Sequence, residues 1–247
     1  MRPHLRATLQ VLSHEDLEHV AEGKYRGSAH IGFDEHPREA PGHLELEPLR
    51  LVAAGLLYPG EGFDMHPHRG CEHLTVMISG RLRHRDTLGG DGLLSRGEVA
   101  NFSAGRGASH SEVVEGDEPV EALTLVFDAS EPEAPPRWHR ASPPSALDER
   151  RWRRIATGRG APPRGAVPLG QDAEVWAVRA RAETRQSHEL SAARCAYLLS
   201  HSAAMRVNGI RVEAGDRVIA SGPGRVELEA LGDTTLLLID LAHPSEN

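Results

Sequence analysis

The chain has 247 residues, 39% of them hydrophobic, and a formal net charge of −8. This composition supports a packed core and argues against global disorder, and the negative charge argues against nucleic acid as the main partner, because phosphate neutralisation dominates such binding. No apolar run approaches the roughly 18 residues of a membrane span, the N-terminus lacks the apolar segment of a secretory signal, and only two cysteines are present; together these predict a cytoplasmic protein that does not enter the membrane.

Residues 1–130 are predicted to form a first domain built of short strands. The segment 43–60 alternates and ends in a Pro-Gly turn, and short apolar runs punctuated by glycines follow, such as "HLTVMISG" at 73–80 and "VEALTLVFDA" at 120–129. Such runs are typical of strands joined by tight turns. A weak 3.6-residue period occurs near the start, in "HEDLEHVAEG" at 14–23, and indicates a possible short helix there.

Residues 131–170 differ in composition, being rich in proline, glycine and arginine. We interpret them as a connection with one short helix at "PSALDERRWRR", residues 144–154. Strands resume in residues 171–247, the predicted second domain. The segment "RVNGIRV" at 206–212 is a strong hairpin signal, because Asn-Gly favours the two-residue turn that joins antiparallel strands.

The two halves share the same order of predicted elements: hairpin, short strand, turn and strand. It is visible in "RLRHRDTLGGDGLLSRGEVANFSAG" and again in "MRVNGIRVEAGDRVIASG". Many short strands at regular spacing predict a barrel or jelly roll, and two such units predict a tandem repeat of it. The expected fold is therefore all-β, with two jelly-roll barrels and few short helices.

Two pairs of potential metal ligands occur in the first half. His66 and His68 flank Pro67, which is incompatible with a helix interior, so the pair belongs to an extended segment. Residues i and i+2 of an extended chain share a face, and the same holds for His110 and Glu112. Three imidazoles and one carboxylate suit Fe, Mn, Ni, Cu or Zn, and leave a coordination position open for substrate or water.

Neighbouring polar residues are given other roles. Cys71 lies an odd number of residues from His68, so its side chain is expected to face away from the metal and to pack in the core. His73 and His84 are expected to be solvent-facing or to make cross-strand contacts. In the second half His188 and His201 are isolated, so we predict no metal there.

The segments "HPHRGCEHLTVMISGRLRHRDTLGG" and "SAGRGASHSE" resemble the pirin family, densely from about residue 60 to 112 and collinearly elsewhere. The resemblance implies a bicupin, with two cupin barrels facing each other and a single metal ion in the first. The metal ligands of the family fall on His66, His68, His110 and Glu112. Glu72 is expected to pack or to support the ligands, and Cys71 stands where the family usually has Phe or Met.

The resemblance also implies quercetin 2,3-dioxygenase activity. A flavonol, or a similar enol or phenol, would bind the metal through its hydroxyl group, Glu112 would accept the hydroxyl proton, and O₂ would attack the activated ring. Iron is the favoured ion, with Mn, Ni, Cu, Co or Zn as alternatives. Glu112 is thus both a metal ligand and the predicted catalytic residue.

Two other functions remain open at this point. The first is a metal- or redox-dependent regulatory protein that acts through protein partners without turnover, for which the sequence offers only the arginines at 150–154 as a contact surface. The second is a metal-dependent isomerase of small sugars or acids, which would need no O₂.

Overall fold

The structure, a computed structural model, describes residues 6–20, 26–32, 43–142 and 151–242. Within these ranges the backbone forms one 3-10 turn, His14–Asp16, and twenty-two strands. The strands are β1 (Thr8–Leu12), β2 (Glu18–Val20), β3 (Arg26–Ile31), β4 (Leu49–Leu57), β5 (Gly62–His68), β6 (Cys71–Ser79), β7 (Arg81–Asp86), β8 (Asp91–Ser95), β9 (Val99–Ser103), β10 (Ala108–Val114), β11 (Val120–Asp128), β12 (Arg137–Ala141), β13 (Arg153–Thr157), β14 (Val167–Pro168), β15 (Ala173–Ala180), β16 (Arg185–Leu190), β17 (Arg194–Ser200), β18 (Met205–Val207), β19 (Ile210–Val212), β20 (Arg217–Ser221), β21 (Gly224–Ala230) and β22 (Thr234–Ala242). The all-β prediction is confirmed, and no helix in the described ranges is long and apolar enough to cross a membrane.

The chain divides into two compact units. The N-terminal unit comprises Leu17–Pro143 and Gly165–Gln171, and the C-terminal unit comprises Met1–Asp16, Pro144–Arg164 and Asp172–Asn247. These boundaries differ from those predicted at residues 130 and 170. Strand β1 pairs with β20 of the C-terminal unit, and β12, which lies in the predicted connection, pairs with β9 of the N-terminal unit.

The N-terminal unit contains two antiparallel sheets, ordered β12-β9-β6-β11-β4-β3-β2 and β5-β10-β7-β8. Apolar side chains from both sheets form one core cluster between them: Leu57, Met77, Leu82, Leu94, Ala100, Val114 and Val120. Burial of this alternating apolar face is what holds the two sheets together. The pairing sets β5 beside β10, so the two predicted ligand pairs lie on neighbouring strands.

The C-terminal unit repeats this plan. One of its sheets contains the order β1-β20-β17-β22-β15-β13, and the other has the order β16-β21-β18-β19. The predicted hairpin is present: Asn208 and Gly209 join β18 to β19 with φ angles of 49° and 87°. Positive φ at both central residues is what a type I′ turn requires, and Asn-Gly adopts it at little cost.

Both helical predictions are wrong where the structure describes them. In the segment 14–23, the 3-10 turn is followed by strand β2, which pairs with β3, and residues 21–23 lie outside the described ranges. In the segment 144–154, residues 144–150 lie outside them, and the last two residues begin strand β13, which pairs with β15. Cross-strand pairing has overridden weak local helix preference at both places.

Candidate metal centre

Strands β5 and β10 bring three histidines together. His110 lies directly opposite His66 in the antiparallel register, and His68 follows two residues after His66 on the same face. The ring centroids are 4.7 Å apart for His66 and His68, 4.6 Å for His66 and His110, and 4.9 Å for His68 and His110. The three rings therefore form a nearly regular triangle, as the two i, i+2 pairs predicted.

The nitrogens of this triangle are available to a ligand. One potential ligand atom from each of the three rings lies within 4.8 Å of the other two. Nε2 of His68 and Nδ1 of His110 are buried and find no hydrogen-bond partner among the described residues. Nδ1 of His66 lies 2.7 Å from the carbonyl oxygen of Asp64, to which it can donate, and this tautomer leaves Nε2 free to bind a metal. Because buried polar atoms without partners are costly, the triangle fits a metal ion.

Glu112 joins the cluster through His110. A carboxylate oxygen of Glu112 and ring nitrogens of His84 and His110 lie within 4.8 Å of one another. The hydroxyl of Thr75 donates a hydrogen bond of 3.1 Å to Oε1 of Glu112. A bulge between His110 and Glu112 in the pairing with β5 accompanies this arrangement. The four residues predicted as ligands thus form two overlapping groups with His110 in common.

The surroundings favour the neutral form of the His68 and His110 imidazoles. Burial, reinforced by the neighbouring histidines, lowers the pKa of His68 to about 4 and that of His110 to about 2. Burial also raises the pKa of Glu112 to about 7, against the opposing effect of the Thr75 hydrogen bond. Neutral imidazoles are the form that binds metal ions, so no proton has to leave the rings of His68 and His110 at neutral pH.

His84 is a further member of the cluster that the sequence did not single out as a ligand. It is buried, lies opposite Glu112 across the β7–β10 pairing, and its Nε2 is 3.0 Å from Oδ2 of Asp86. Its ring stacks on Trp138 of β12, with centroids 4.5 Å apart and planes within 1°. The cross-strand expectation is thus correct and the solvent-facing one is wrong.

The prediction that Cys71 faces away from the metal is wrong, whereas the cross-strand expectation for His73 is correct, because its ring centroid lies 3.9 Å from that of His68 on β5 and 5.5 Å from that of His110 on β10. The Cys71 sulfur and ring nitrogens of His68 and His73 lie within 4.8 Å of one another, so both side chains face the cluster. Counting residues from His68 gives the wrong face because Gly70, with φ of 66°, turns the chain between β5 and β6. The alternation of side chains along a strand does not continue through a turn. Burial lowers the pKa of His73 to about 3 and raises that of the Cys71 thiol to about 11.

Glu72 lies on the other face of β6, where it packs as expected. It is buried, accepts a hydrogen bond of 2.8 Å from the backbone N–H of Gly170, and has the Asn101 side-chain amide 3.4 Å away. In the C-terminal unit, His188 is held by Asp240, with Nε2 and Oδ2 2.7 Å apart. The groups of close metal-ligating atoms found among the described residues all lie in the N-terminal unit.

Two sandwich-like barrels in tandem, the first with a histidine cluster inside it, define this protein as a bicupin. A family model described as Pirin matches residues 43–126, and one described as Quercetinase C-terminal cupin domain matches residues 158–241. The Pseudomonas aeruginosa protein named "Putative quercetin 2,3-dioxygenase PA1210" is 31% identical over 92% of this chain and 96% of its own length. The chain therefore belongs to the pirin family.

Other relatives agree with this assignment. A protein from Escherichia coli K12 named quercetin 2,3-dioxygenase is 23% identical over 81% of this chain and 85% of its own length. The crystal structure of the bacterial pirin YhhW from Escherichia coli in complex with nickel(II) has a TM-score of 0.83 and 21% identity, and it covers 96% of this chain and all of that one. This structural likeness supports the fold.

Proposed function

We propose that the N-terminal unit holds one divalent transition-metal ion on His66, His68, His110 and Glu112, and that it catalyses oxygenation of a flavonol or a similar enol or phenol. The observation that carries the proposal is the triangle of three imidazoles, two of which have a buried nitrogen without a partner. The names of the relatives, which include quercetin 2,3-dioxygenases, support the choice of reaction. Iron is the proposed ion, and the nickel(II) complex of the bacterial pirin YhhW supports a divalent ion at this place in the fold.

The residues around the ion have separate roles in this proposal. The bound ion would supply a Lewis acid that lowers the pKa of a substrate hydroxyl, together with redox chemistry toward O₂. Glu112 would receive the hydroxyl proton on a carboxylate oxygen, and Thr75 orients that carboxylate by its hydrogen bond to Oε1. Burial raises the pKa of Glu112 to about 7, and a neighbouring cation would hold it as the carboxylate that a general base requires.

An exposed aromatic side chain next to the cluster fits an aromatic substrate. Phe63 on β5 is 41% exposed. The Phe63 ring centroid lies 6.1 Å from that of His66. Exposed apolar groups beside polar ones often mark a binding surface, and an aromatic ring can pack against a planar phenol.

Metal analysis and oxygen uptake test the proposal together. The purified protein should contain a stoichiometric redox-active metal and consume O₂ with quercetin, and His66→Ala should lose O₂ uptake and hold that metal more weakly. Met65→Ala is the matched control, because it alters the adjacent, exposed residue of the same strand and should retain both properties. Bound metal without O₂ uptake would refute the oxygenase and favour a regulatory protein, and absence of metal after reconstitution would refute the site.

We also propose a cytoplasmic location, because two cysteines that form no disulfide suit a reducing compartment.

A further inference from the structure

Strand β6 presents a second set of metal-ligating side chains to the interior of the N-terminal unit. Cys71, His73 and Thr75 alternate along the strand and share one face, and Thr75 reaches Glu112 from that face. Glu72 between them points to the opposite side, where it accepts a backbone N–H. The thiol and the imidazole of this strand therefore face the same space as the proposed metal ligands.

The distances in this second set are close to those of a metal site. The ring centroids of His68 and His73 are 3.9 Å apart, and the Cys71 sulfur and one nitrogen of each ring are mutually within 4.8 Å. Tetrahedral Zn²⁺ with sulfur at ~2.3 Å and nitrogen at ~2.05 Å places its ligand atoms roughly 3.5 Å apart. Small side-chain rotations would close that gap without movement of the strands.

The two imidazoles have no competing partner. Nε2 of His68 is buried without a partner, and the ring of His73 makes no hydrogen bond to any other described residue. Cys71 forms no disulfide, and the backbone N–H of Arg69 near its sulfur favours the thiolate. His68 is common to both sets, so an ion in the second set competes with an ion in the first for its unpartnered nitrogen.

We propose that His68, Cys71 and His73 form a second, thiolate-containing site that takes a thiophilic divalent ion such as Zn²⁺ in place of the ion held by His66, His68, His110 and Glu112. Sulfur ligands favour Zn²⁺ over Mn²⁺ or Mg²⁺, whereas the first set has only nitrogen and oxygen ligands. On binding, the S–H bond of Cys71 breaks, its proton goes to solvent, and an S–Zn bond forms; no group is oxidised or reduced. The inference does not depend on the proposed oxygenase activity.

The test uses Co²⁺ as a spectroscopic substitute for Zn²⁺ in the full-length His66→Ala variant, in which the first set is already incomplete. We expect Co²⁺ to bind with a sulfur-to-cobalt charge-transfer band in the near ultraviolet. The band should disappear in His66→Ala/Cys71→Ser and persist in His66→Ala/Cys195→Ser, which alters the other free cysteine, in the C-terminal unit. In the His66→Ala background, the further change His73→Gln should weaken Co²⁺ binding by at least about tenfold, as expected for a lost ligand.

A second measurement requires no substitution. In the wild-type protein, added Zn²⁺ should slow alkylation of Cys71, as measured by mass spectrometry of the Cys71 peptide. Failure of Co²⁺ to bind His66→Ala, binding without the band, a band that survives Cys71→Ser, or alkylation unaffected by Zn²⁺ would each overturn the proposal. None of these outcomes bears on O₂ uptake by the wild-type protein, so this inference and the proposed function fail separately.

Discussion

A buried ion pair in the C-terminal unit provides a quantitative test of how that unit is stabilised. The Asp240 carboxylate accepts hydrogen bonds of 2.6 Å from Nε of Arg194 and 2.7 Å from Nε2 of His188. The side chains of Arg194 and Asp240 are only 7% and 6% exposed. Asp240→Asn keeps the shape and removes the charge, which leaves Arg194 buried with Asp172 as its remaining carboxylate, 3.0 Å away and 60% exposed.

The expected cost follows from that burial. Removing one partner of a buried ion pair typically costs ~3–5 kcal/mol, and since Asp172 retains part of the pairing, we expect about 3 kcal/mol for Asp240→Asn. Burial raises the pKa of Asp240, but the hydrogen bonds from His188 and Arg194 outweigh it, so the pKa is lowered overall. The stabilisation is therefore complete above the unfolded carboxyl pKa of about 3.9 and is lost as the pH falls through the lowered folded value. The difference between wild type and Asp240→Asn should shrink below about pH 4.

Urea denaturation followed by tryptophan fluorescence measures this difference. Two of the three tryptophans, Trp152 and Trp176, pack on the core of the C-terminal unit. A Trp138→Phe background removes the signal of the N-terminal unit, so the transition reports on the C-terminal unit alone. The free energy of unfolding is compared at neutral pH and at about pH 3, where the Asp240 contribution is expected to be decreasing.

The control is an exposed ion pair in the same unit. Arg211 and Glu213 are 2.6 Å apart, with side chains 57% and 62% exposed. Solvent screens an exposed pair, so Glu213→Gln should have little effect on the free energy of unfolding. The reasoning is refuted if Asp240→Asn costs no more than Glu213→Gln at neutral pH, or if its cost is the same at both pH values.

Three further predictions concern the N-terminal unit. The hydrogen bond from Thr75 favours the ionised form of Glu112, so Thr75→Val should raise the pKa of Glu112 and move the acidic limb of the pH profile of O₂ uptake up by about one pH unit. An unmoved limb would show that Thr75 does not act on the base. Gly92→Ala places a methyl group against the ring of Trp138, closer than van der Waals contact allows, and should destabilise by ~1–3 kcal/mol in urea denaturation; an unchanged midpoint would contradict that packing. Phe63→Ala should raise KM for quercetin severalfold with a smaller change in kcat, because it removes an exposed aromatic contact; an unchanged KM would place the substrate elsewhere.

Much of the candidate site could be predicted from local sequence. Pro67 excludes a helix, so the period of two along an extended chain puts His66 and His68 on one face, and the same period joins His110 to Glu112. These are short-range constraints of backbone geometry, and they hold whatever the rest of the chain does. The Asn208–Gly209 hairpin was predictable for the same reason, because its turn needs two positive φ angles.

Other features depend on contacts between distant segments, which local sequence does not encode. Cys71 and His73 face the histidine cluster because the turn at Gly70 resets the alternation, and His84 is buried because Trp138 covers it from a strand in the predicted connection. Strand β1 belongs to the C-terminal unit because it forms the edge of that sheet beside β20. Local sequence was enough to predict which side chains share a face of one strand. Which strands lie beside each other depends on the tertiary structure, because burial and sheet pairing between remote segments outweigh local preference.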